Sequence, residues 1–415
     1  MKVGFMGLGK LGLPCALAIE AKGHEVRGHD PDKKVDRILA TGKIPYREEG
    51  AQEFLDNSNI QLVSVTELVR WADIFFVPIQ TPHDIRFEGI TPLTNDRMDF
   101  DYTYLVKGVT QLSKEIEHWG KTKTVIIIST VLPGTIRRDI YPVIGRHTKL
   151  CYNPFFIAMG TTMRDFLNPE FVLFGTENDE VAEEMKKFYS TIHDKPFVRM
   201  SIESAELTKV AYNTFITAKI TITNLLMEIC EKVPGADVDE VTGALKMATD
   251  RIISPKYLNG GMGDGGGCHP RDNIALSWLA RRLNLSFDIY ESLMLAREYQ
   301  TEWFANLIKE TLLKYVGKKA VILGKAFKKE TNLTVGSPAI LLKNLLLRKG
   351  IPSDIWDPHV DGGYQTTEFP VTVYFIGVNH PEFKQLAFPE GSTILDPWGM
   401  IEDQPGVEVI RIGRK

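Results

Sequence analysis

Long hydrophobic runs are missing from this chain of 415 residues: its most apolar stretches, Thr124–Ile128 and Ile74–Val77, are strand-sized, well short of the roughly 18 residues that cross a bilayer. Cysteine is scarce and scattered. Cys15, Cys151, Cys230 and Cys268 form neither a disulfide framework nor a CxxC pair, and no His/Cys/Asp spacing reads as a metal site. A basic excess is missing too. Lys and Arg number 49 against 53 Asp and Glu, a formal net charge of −4, so nucleic acid has no electrostatic footprint to find. The chain opens directly on strand-like Lys2–Met6 with no signal-peptide pattern, and it shows no low-complexity tract or short repeat. These absences exclude membrane-spanning, disulfide-scaffold and nucleic-acid-binding classes and predict a cytoplasmic protein. What remains, 43% hydrophobic and 25% charged, is the composition of an ordinary globular chain. Its length predicts two or three domains.

Residues 1–200 alternate apolar runs with helical periodicity. Lys2–Met6, Glu25–Asp30, Gln61–Val65, Asp73–Ile79, Thr122–Thr130, Lys149–Tyr152 and Phe171–Gly175 read as strands; Tyr102–Trp119 and Glu180–Tyr189 read as helices. This alternation predicts an α/β domain with a mostly parallel sheet covered on both faces. From Ser204 to Val233 almost nothing breaks a helix, and helices at Val238–Thr249, Asn273–Arg282 and Phe287–Tyr315 follow. The strand–helix pattern restarts at Lys319–Leu323, with Ala339–Arg348 helical and Ser353–Trp356, Val371–Phe375 and Thr393–Leu395 as strands. The expected domains are 1–200, a helical middle at 201–315 and a smaller α/β domain at 316–415. Tyr315–Lys319 reads as the hinge, and polar Asp84–Asp101 as a mobile loop over the cleft.

Gly7-Leu8-Gly9-Lys10-Leu11-Gly12 places a G-x-G-x-x-G between the first strand and the helix Leu13–Ala21. Such glycines permit a tight turn, let backbone approach a pyrophosphate, and bring helix close to strand. Asp30 ends the second strand, where a carboxylate binds the adenosine ribose and repels a 2′-phosphate. NAD is therefore expected over NADP, although Arg27, Lys33 and Lys34 lie close by and oppose that preference.

The most specific passage is Gly260-Gly261-Met262-Gly263-Asp264-Gly265-Gly266-Gly267-Cys268-His269-Pro270-Arg271-Asp272. So dense a glycine run gives backbone amides room to approach a ligand. A lone cysteine is usually a small buried hydrophobe, which suits Cys15, Cys151 and Cys230. It does not suit Cys268, which ends a polar loop beside a cation, the setting of a nucleophilic thiol.

With this loop the chain closely resembles the UDP-glucose/GDP-mannose dehydrogenase family, whose loop reads G-x-G-x-G-G-x-C-[FL]-x-K-D. Gly261–Asp272 matches it except at Asp264, His269 and Arg271. The resemblance continues in Ile79-Gln80-Thr81-Pro82, Ser129-Thr130-Val131, Glu206-Leu207-x-Lys209-x-x-x-Asn213, Ala326-Phe327-Lys328 and Asp357-Pro358, in the same order. It implies two Rossmann-like domains joined by a long central helix that mediates homodimerisation, with the substrate between the domains. It also implies a two-step, NAD-dependent oxidation of a nucleotide sugar's 6-hydroxymethyl group through a thiohemiacetal and a thioester on Cys268. Lys209 and Asn213, one helical turn apart, can converge on one reacting oxygen. Taken alone, that pair reads as a solvated helix face. The family match makes Lys209 the group that stabilises the alkoxide or takes its proton, with Asn213 on the same oxygen, Asp272 tuning Lys209 and Thr130 holding the water. By the same resemblance NAD meets Gly7, Gly9, Lys10, Leu11, Gly12, Asp30, Lys34, Thr81, Thr130 and Arg271. The sugar nucleotide meets Lys209, Asn213, Arg251, Tyr257, Leu258, Asn259, Gly260, Gly261, Gly265 and, at its pyrophosphate, Lys328.

Three departures stand out. The family's N-P-E-F-L-x-E-G reads Asn153-Pro154-Phe155-Phe156-Ile157-Ala158-Met159-Gly160, so Phe155 and Met159 replace two glutamates, the first of them tied to thioester hydrolysis. Val335 replaces an arginine that contacts cofactor in relatives. Arg251 matches an arginine that reaches the neighbouring subunit's substrate, with one extra residue before Tyr257. Slow hydrolysis, accelerated by Phe155→Glu, is the expectation, with Thr130, Asp264 and His269 the substitute candidates. His269 reads first as a ligand contact and His380 as a loop residue. Two alternatives stay open: a two-electron hydroxy-acid dehydrogenase, which has no use for Cys268, and a nucleotide-sugar-binding protein impaired in catalysis.

Overall fold

A computed structural model describes every residue except 93, 250–258, 264–265, 283–287, 316–318, 363–369 and 415. The chain forms two compact units. The first is Met1–Pro82 with Phe100–Ala211; the second is His83–Asp99 with Tyr212–Lys415.

The first unit holds β1 (Lys2–Met6), β2 (Glu25–His29), β3 (Gln61–Leu62), β4 (Ile74–Val77), β5 (Lys123–Ile127), β6 (Thr148–Tyr152), β7 (Val172–Gly175) and β8 (Phe197–Met200). Their order is β3-β2-β1-β4-β5-β6-β7-β8, parallel throughout except where β7 meets β6. The first six strands have the doubly-wound dinucleotide-binding order, which reverses between β1 and β4. Every residue of β4 is buried, as a central strand covered on both faces requires. Around the sheet run α1 (Gly12–Ala21), α2 (Lys33–Thr41), α3 (Ala51–Asp56), α4 (Val65–Trp71), α5 (Thr103–Trp119), α6 (Thr162–Leu167) and α7 (Asp179–Tyr189). The strand expected at Gln61–Val65 stops early because Ser64 and Glu67 form a reciprocal capping box that starts α4. Asp32, whose carboxylate accepts the Lys34 amide, likewise starts α2, a helix the apolar pattern did not disclose.

Helix α8 (Ile202–Lys232) is the long helix expected from the unbroken run. In the second unit, α9 (Val238–Met247), α10 (Cys268–Arg282), α11 (Ile289–Leu312) and α12 (Pro338–Arg348) accompany β9 (Ala320–Leu323), β10 (Ser353–Trp356), β11 (Val373–Ile376), β12 (Thr393–Asp396) and β13 (Glu408–Arg411). This second sheet is parallel throughout, in the order β10-β9-β11-β12-β13. Its core joins Phe304, Ala305 and Ile308 of α11 and Met227 of α8 to Ile322, Phe375 and Leu395 of the sheet. The helical middle and the second sheet thus share one core. Among the described residues no helix is long and apolar enough to cross a membrane.

The segment His83–Asp99 is fastened within the second unit. Phe87 packs on Ile274 and Met294, Arg97 bonds Ser277 (3.0 Å) and Glu291 (2.9 Å), and Arg297 reaches the Gly89 carbonyl at 2.6 Å. Of its polar side chains, read from sequence as a mobile loop, Arg97 is an anchor on α10 and α11, while Arg86 pairs with Asp84 inside the segment.

Candidate active site

The glycine turn after β1 is built around missing side chains. Gly7 has φ +112°, a conformation other residues avoid, and a Cβ on Gly12 would lie 2.3 Å from the Gly7 carbonyl oxygen. Among the described residues nothing comes within 4 Å of the Gly9 Cβ position, and no side chain caps α1. The open side of Gly9, at the N-terminal end of α1, thus leaves a pyrophosphate room to approach the turn and the positive end of the helix dipole. Asp30 accepts the Leu8 amide at 2.7 Å and the Asp32 amide at 2.8 Å, which places its carboxylate at the turn. These residues fit a bound NAD. Lys10 is exposed and Leu11 half-buried beside the turn, while Lys34 lies exposed at the start of α2. Arg27 does not reach toward the ribose side: its guanidinium stacks 4.6 Å from the Trp71 ring. At the carboxyl ends of β4 and β5, the Thr81 hydroxyl donates to the Thr130 carbonyl at 2.8 Å.

Helix α8 carries a buried polar stripe: Glu206, Lys209, Asn213, Thr217 and Asn224. Their spacings of three, four, four and seven residues keep them on one face. Glu206 accepts the Gly134 and Ile136 amides at 2.6 and 2.7 Å. Burial pushes its carboxyl up to about 7, against the pull of those two amides. Lys209 donates to the Phe155 carbonyl at 2.9 Å and sits 5.5 Å over the Phe156 ring. Asn213 donates a short hydrogen bond to Asp272 on α10. The other oxygen of Asp272, a fully buried residue, takes Nε (3.0 Å) and Nη2 (2.9 Å) of Arg271.

Cys268 is the first residue of α10 and is exposed, whereas Cys15, Cys151 and Cys230 are buried. The loop before it is clamped from both sides. Asn224 accepts the Gly261 amide at 3.1 Å and donates to the Gly263 carbonyl at 2.7 Å, and Gln300 bonds Gly263 and Gly261 at 3.3 Å. Gly261 lies against the Trp398 ring and Gly260 against Met227 and Val238; Asn259 accepts from Lys246 at 2.8 Å. Of the residues expected to hold substrate, Arg251, Tyr257, Leu258 and Gly265 fall outside the described residues, as does Asp264. His269 is buried.

His83 was not marked by sequence, because a single histidine after Thr81-Pro82 belongs to no motif. Its half-buried ring has a buried Nε2 with no hydrogen-bond partner among the described residues. Burial and then Arg271 push its imidazole down to about 4, against Asp272 and Asp84. Asn224 and Gln300 were also missed; for Asn224 a signal existed, since it lies three turns beyond Asn213 on α8.

The Phe155 side chain turns into the core. It is 8% exposed and packs in the core of the first unit, its ring 5.2 Å from Phe166 and 6.4 Å from Phe76. Farther along this stretch, the buried carboxylate of Glu48 accepts the Gly160 amide (2.9 Å) and the Thr162 hydroxyl (3.0 Å) and shapes the chain there.

Comparison with known proteins decides the kinship. Residues 1–193 match the NAD-binding domain and residues 203–298 the central domain of the UDP-glucose/GDP-mannose dehydrogenase family. The chain belongs to this family. As a UDP-glucose/GDP-mannose dehydrogenase family member it is an NAD-dependent nucleotide-sugar dehydrogenase, with its NAD-binding domain at the N-terminal sheet. It is 27% identical over 373 residues to the GDP-mannose 6-dehydrogenase of Pseudomonas putida, covering 87% of this chain and 81% of that one. It is 29% identical over 381 residues to the UDP-glucose 6-dehydrogenase of Drosophila melanogaster, covering 87% and 77%. In fold it is similar to a UDP-glucose dehydrogenase from Pyrobaculum islandicum, with TM-score 0.86 and 23% identity over 100% of this chain and 98% of that one. Two relatives named for different sugar nucleotides stand at nearly equal identity.

Proposed function

We propose that this dehydrogenase oxidises the 6-hydroxymethyl group of a nucleotide sugar, in the class of UDP-glucose, to the acid, with Cys268 as nucleophile. The observation that carries the reading is the placement of Cys268, the one exposed cysteine, at the first residue of α10, with Asp272 one turn behind it bonded to Asn213. NAD, when bound, would accept one hydride at each oxidation, so two NAD are consumed per sugar. Lys209 takes the hydroxyl proton or stabilises the alkoxide, and Asn213, held by Asp272, fixes the same oxygen. The Cys268 sulfur adds to the aldehyde carbon and its proton goes to the new hydroxyl, giving a thiohemiacetal whose oxidation leaves a thioester. Water then replaces sulfur at the carbonyl carbon, releasing the acid and the free thiol, with Thr130 holding that water. The glycine turn, Asp30 and Thr81 hold the cofactor, together with Lys10, Leu11, Lys34 and Arg271. The loop Asn259–Gly261 and Lys328 hold the sugar nucleotide. Homodimerisation through α8 is supported by exposed Leu207 and Phe215, at 45% and 66%.

A second reading, favoured by the burial of Phe155, retains both oxidations and stalls at the thioester. The test is the yield of NADH per sugar, measured on UDP-glucose, GDP-mannose and UDP-N-acetylmannosamine. Two per turnover supports the first reading, two in a single burst the second. One per turnover overturns both.

A further inference from the structure

The two sheets begin alike. In the first, Asp30 follows β2 and accepts an amide, Leu8, of the loop after β1. In the second, Asp357 follows β10 and accepts two amides of the loop after β9, Lys325 at 2.6 Å and Ala326 at 2.8 Å. The acids then diverge. Asp30 is half-buried, whereas Asp357 is 0% exposed and lies against His380, whose Nε2 is 3.0 Å from its Oδ2. The Nδ1 of His380 accepts the Glu330 amide at 3.1 Å, which leaves the ring proton on Nε2 and directs it to Asp357. Burial opposes charge on Asp357, yet His380 and the two amides hold its carboxyl well below the usual range. His359 and Glu382 stand beside His380 in a group of potential metal ligands. A metal there would have to displace the Glu330 amide or Asp357, because both His380 nitrogens are engaged.

The bonds converge on one loop. Asp357 grips its start and His380 its far side at Glu330, which has φ 57°, a conformation rare outside glycine. Between them, the Phe327 amide bonds the Leu333 carbonyl at 2.9 Å, and the Lys328 ammonium stands 5.6 Å over the Phe327 ring. The loop also abuts the cysteine loop. A Cβ on Gly266 would lie 3.5 Å from the Phe327 ring, and one on Gly267 2.6 Å from the Val335 carbonyl oxygen. It lies at the carboxyl end of β9, where the strand order reverses and open α/β sheets bind ligands.

We propose that His380 and Asp357 form a latch that positions the Gly324–Glu330 loop, and with it Lys328, for the diphosphate of a nucleotide sugar. They are positioning residues, and the inference rests on the assignment of Lys328 to that diphosphate.

The test uses the full chain. UDP and GDP binding is titrated calorimetrically, and NAD binding is measured separately. His380→Ala loses both bonds of the latch and should weaken the tighter diphosphate tenfold or more, with NAD affinity within twofold of the parent. His380→Gln, which retains a donor for Asp357, should lose only a few-fold. On a Lys328→Met background the His380→Ala effect should largely vanish, since a residue acting through Lys328 is not additive with it. Parent-like diphosphate binding by His380→Ala, full additivity with Lys328→Met, or equal loss of NAD binding would overturn the latch. If His380→Ala does not fold, parent-like binding by His380→Gln overturns it. Failure of the parent protein to bind either diphosphate overturns the functional reading as well.

Discussion

The ammonium of Lys209 donates to the backbone carbonyl of Phe155, 2.9 Å away, while the Phe155 side chain points into the core against Phe166. Position 155 therefore serves two structures at once. Its backbone steadies a candidate catalytic lysine, and its ring fills a hydrophobic interior. The sequence alone suggested that Phe155→Glu would restore a hydrolytic carboxylate. The structure predicts instead that the glutamate is buried without a partner, at a cost of about 3 kcal/mol or more. Chemical denaturation should show the lost stability, and steady-state turnover should not rise. A folded, faster Phe155→Glu variant would show that this segment swings its side chain outward.

Cofactor choice follows from Asp30 and from the engagement of Arg27 by Trp71. NAD should be preferred over NADP by about tenfold to a hundredfold in kcat/KM, the effect of one hydrogen bond to a charged group. Asp30→Ala should erode that preference and also loosen the turn at Leu8. Matched assays with both cofactors provide the check.

Cys268→Ala should lower acid formation by at least about 10³-fold, as loss of a nucleophile does in other covalent enzymes. Binding of UDP or GDP should remain near that of the parent. Intact-protein mass spectrometry after mixing with substrate and NAD should find a sugar adduct in the parent and none in the variant.

Glu206 makes stability depend on pH. Its folded-state pKa of about 7 lies above the ordinary 4.5 because of burial, so the folded chain holds a proton that the unfolded chain releases. Stability from this group is full below pH 4.5 and is lost as pH rises through about 7. Glu206→Gln should flatten that slope. It should also cost about 1–3 kcal/mol, because an amide leaves one of the Gly134 and Ile136 donors without an acceptor. Denaturant midpoints across pH 5–8 measure both effects.

His83 works in the opposite direction. Its folded pKa of about 4 lies below the ordinary 6.5, again through burial first. The unfolded chain binds the proton more readily, so stability is full above pH 6.5 and declines as pH falls through about 4. His83→Asn should shallow the acid limb of the stability profile, read as melting temperature between pH 4 and 7.

The sequence by itself determined the alternation of strands and helices, the glycine turn, the unbroken long helix and the cysteine loop. Each of these is written in residues close together, because glycine conformation, apolar period and capping act within a turn or two of chain. What it left out was also local in cause. The starts of α2 and α4 are set by capping side chains rather than by apolar period. Only the tertiary structure decided partnership. Asp272 meets Asn213 from 59 residues away, and His380 meets Asp357 from 23. Residues 83–99 dock on α10 and α11 through Phe87 and Arg97, and Phe155 turns into an aromatic core. Such choices follow from which surfaces of already formed helices and sheets pack together, where desolvation favours a partner for most buried polar atoms. No spacing within the chain carries that information.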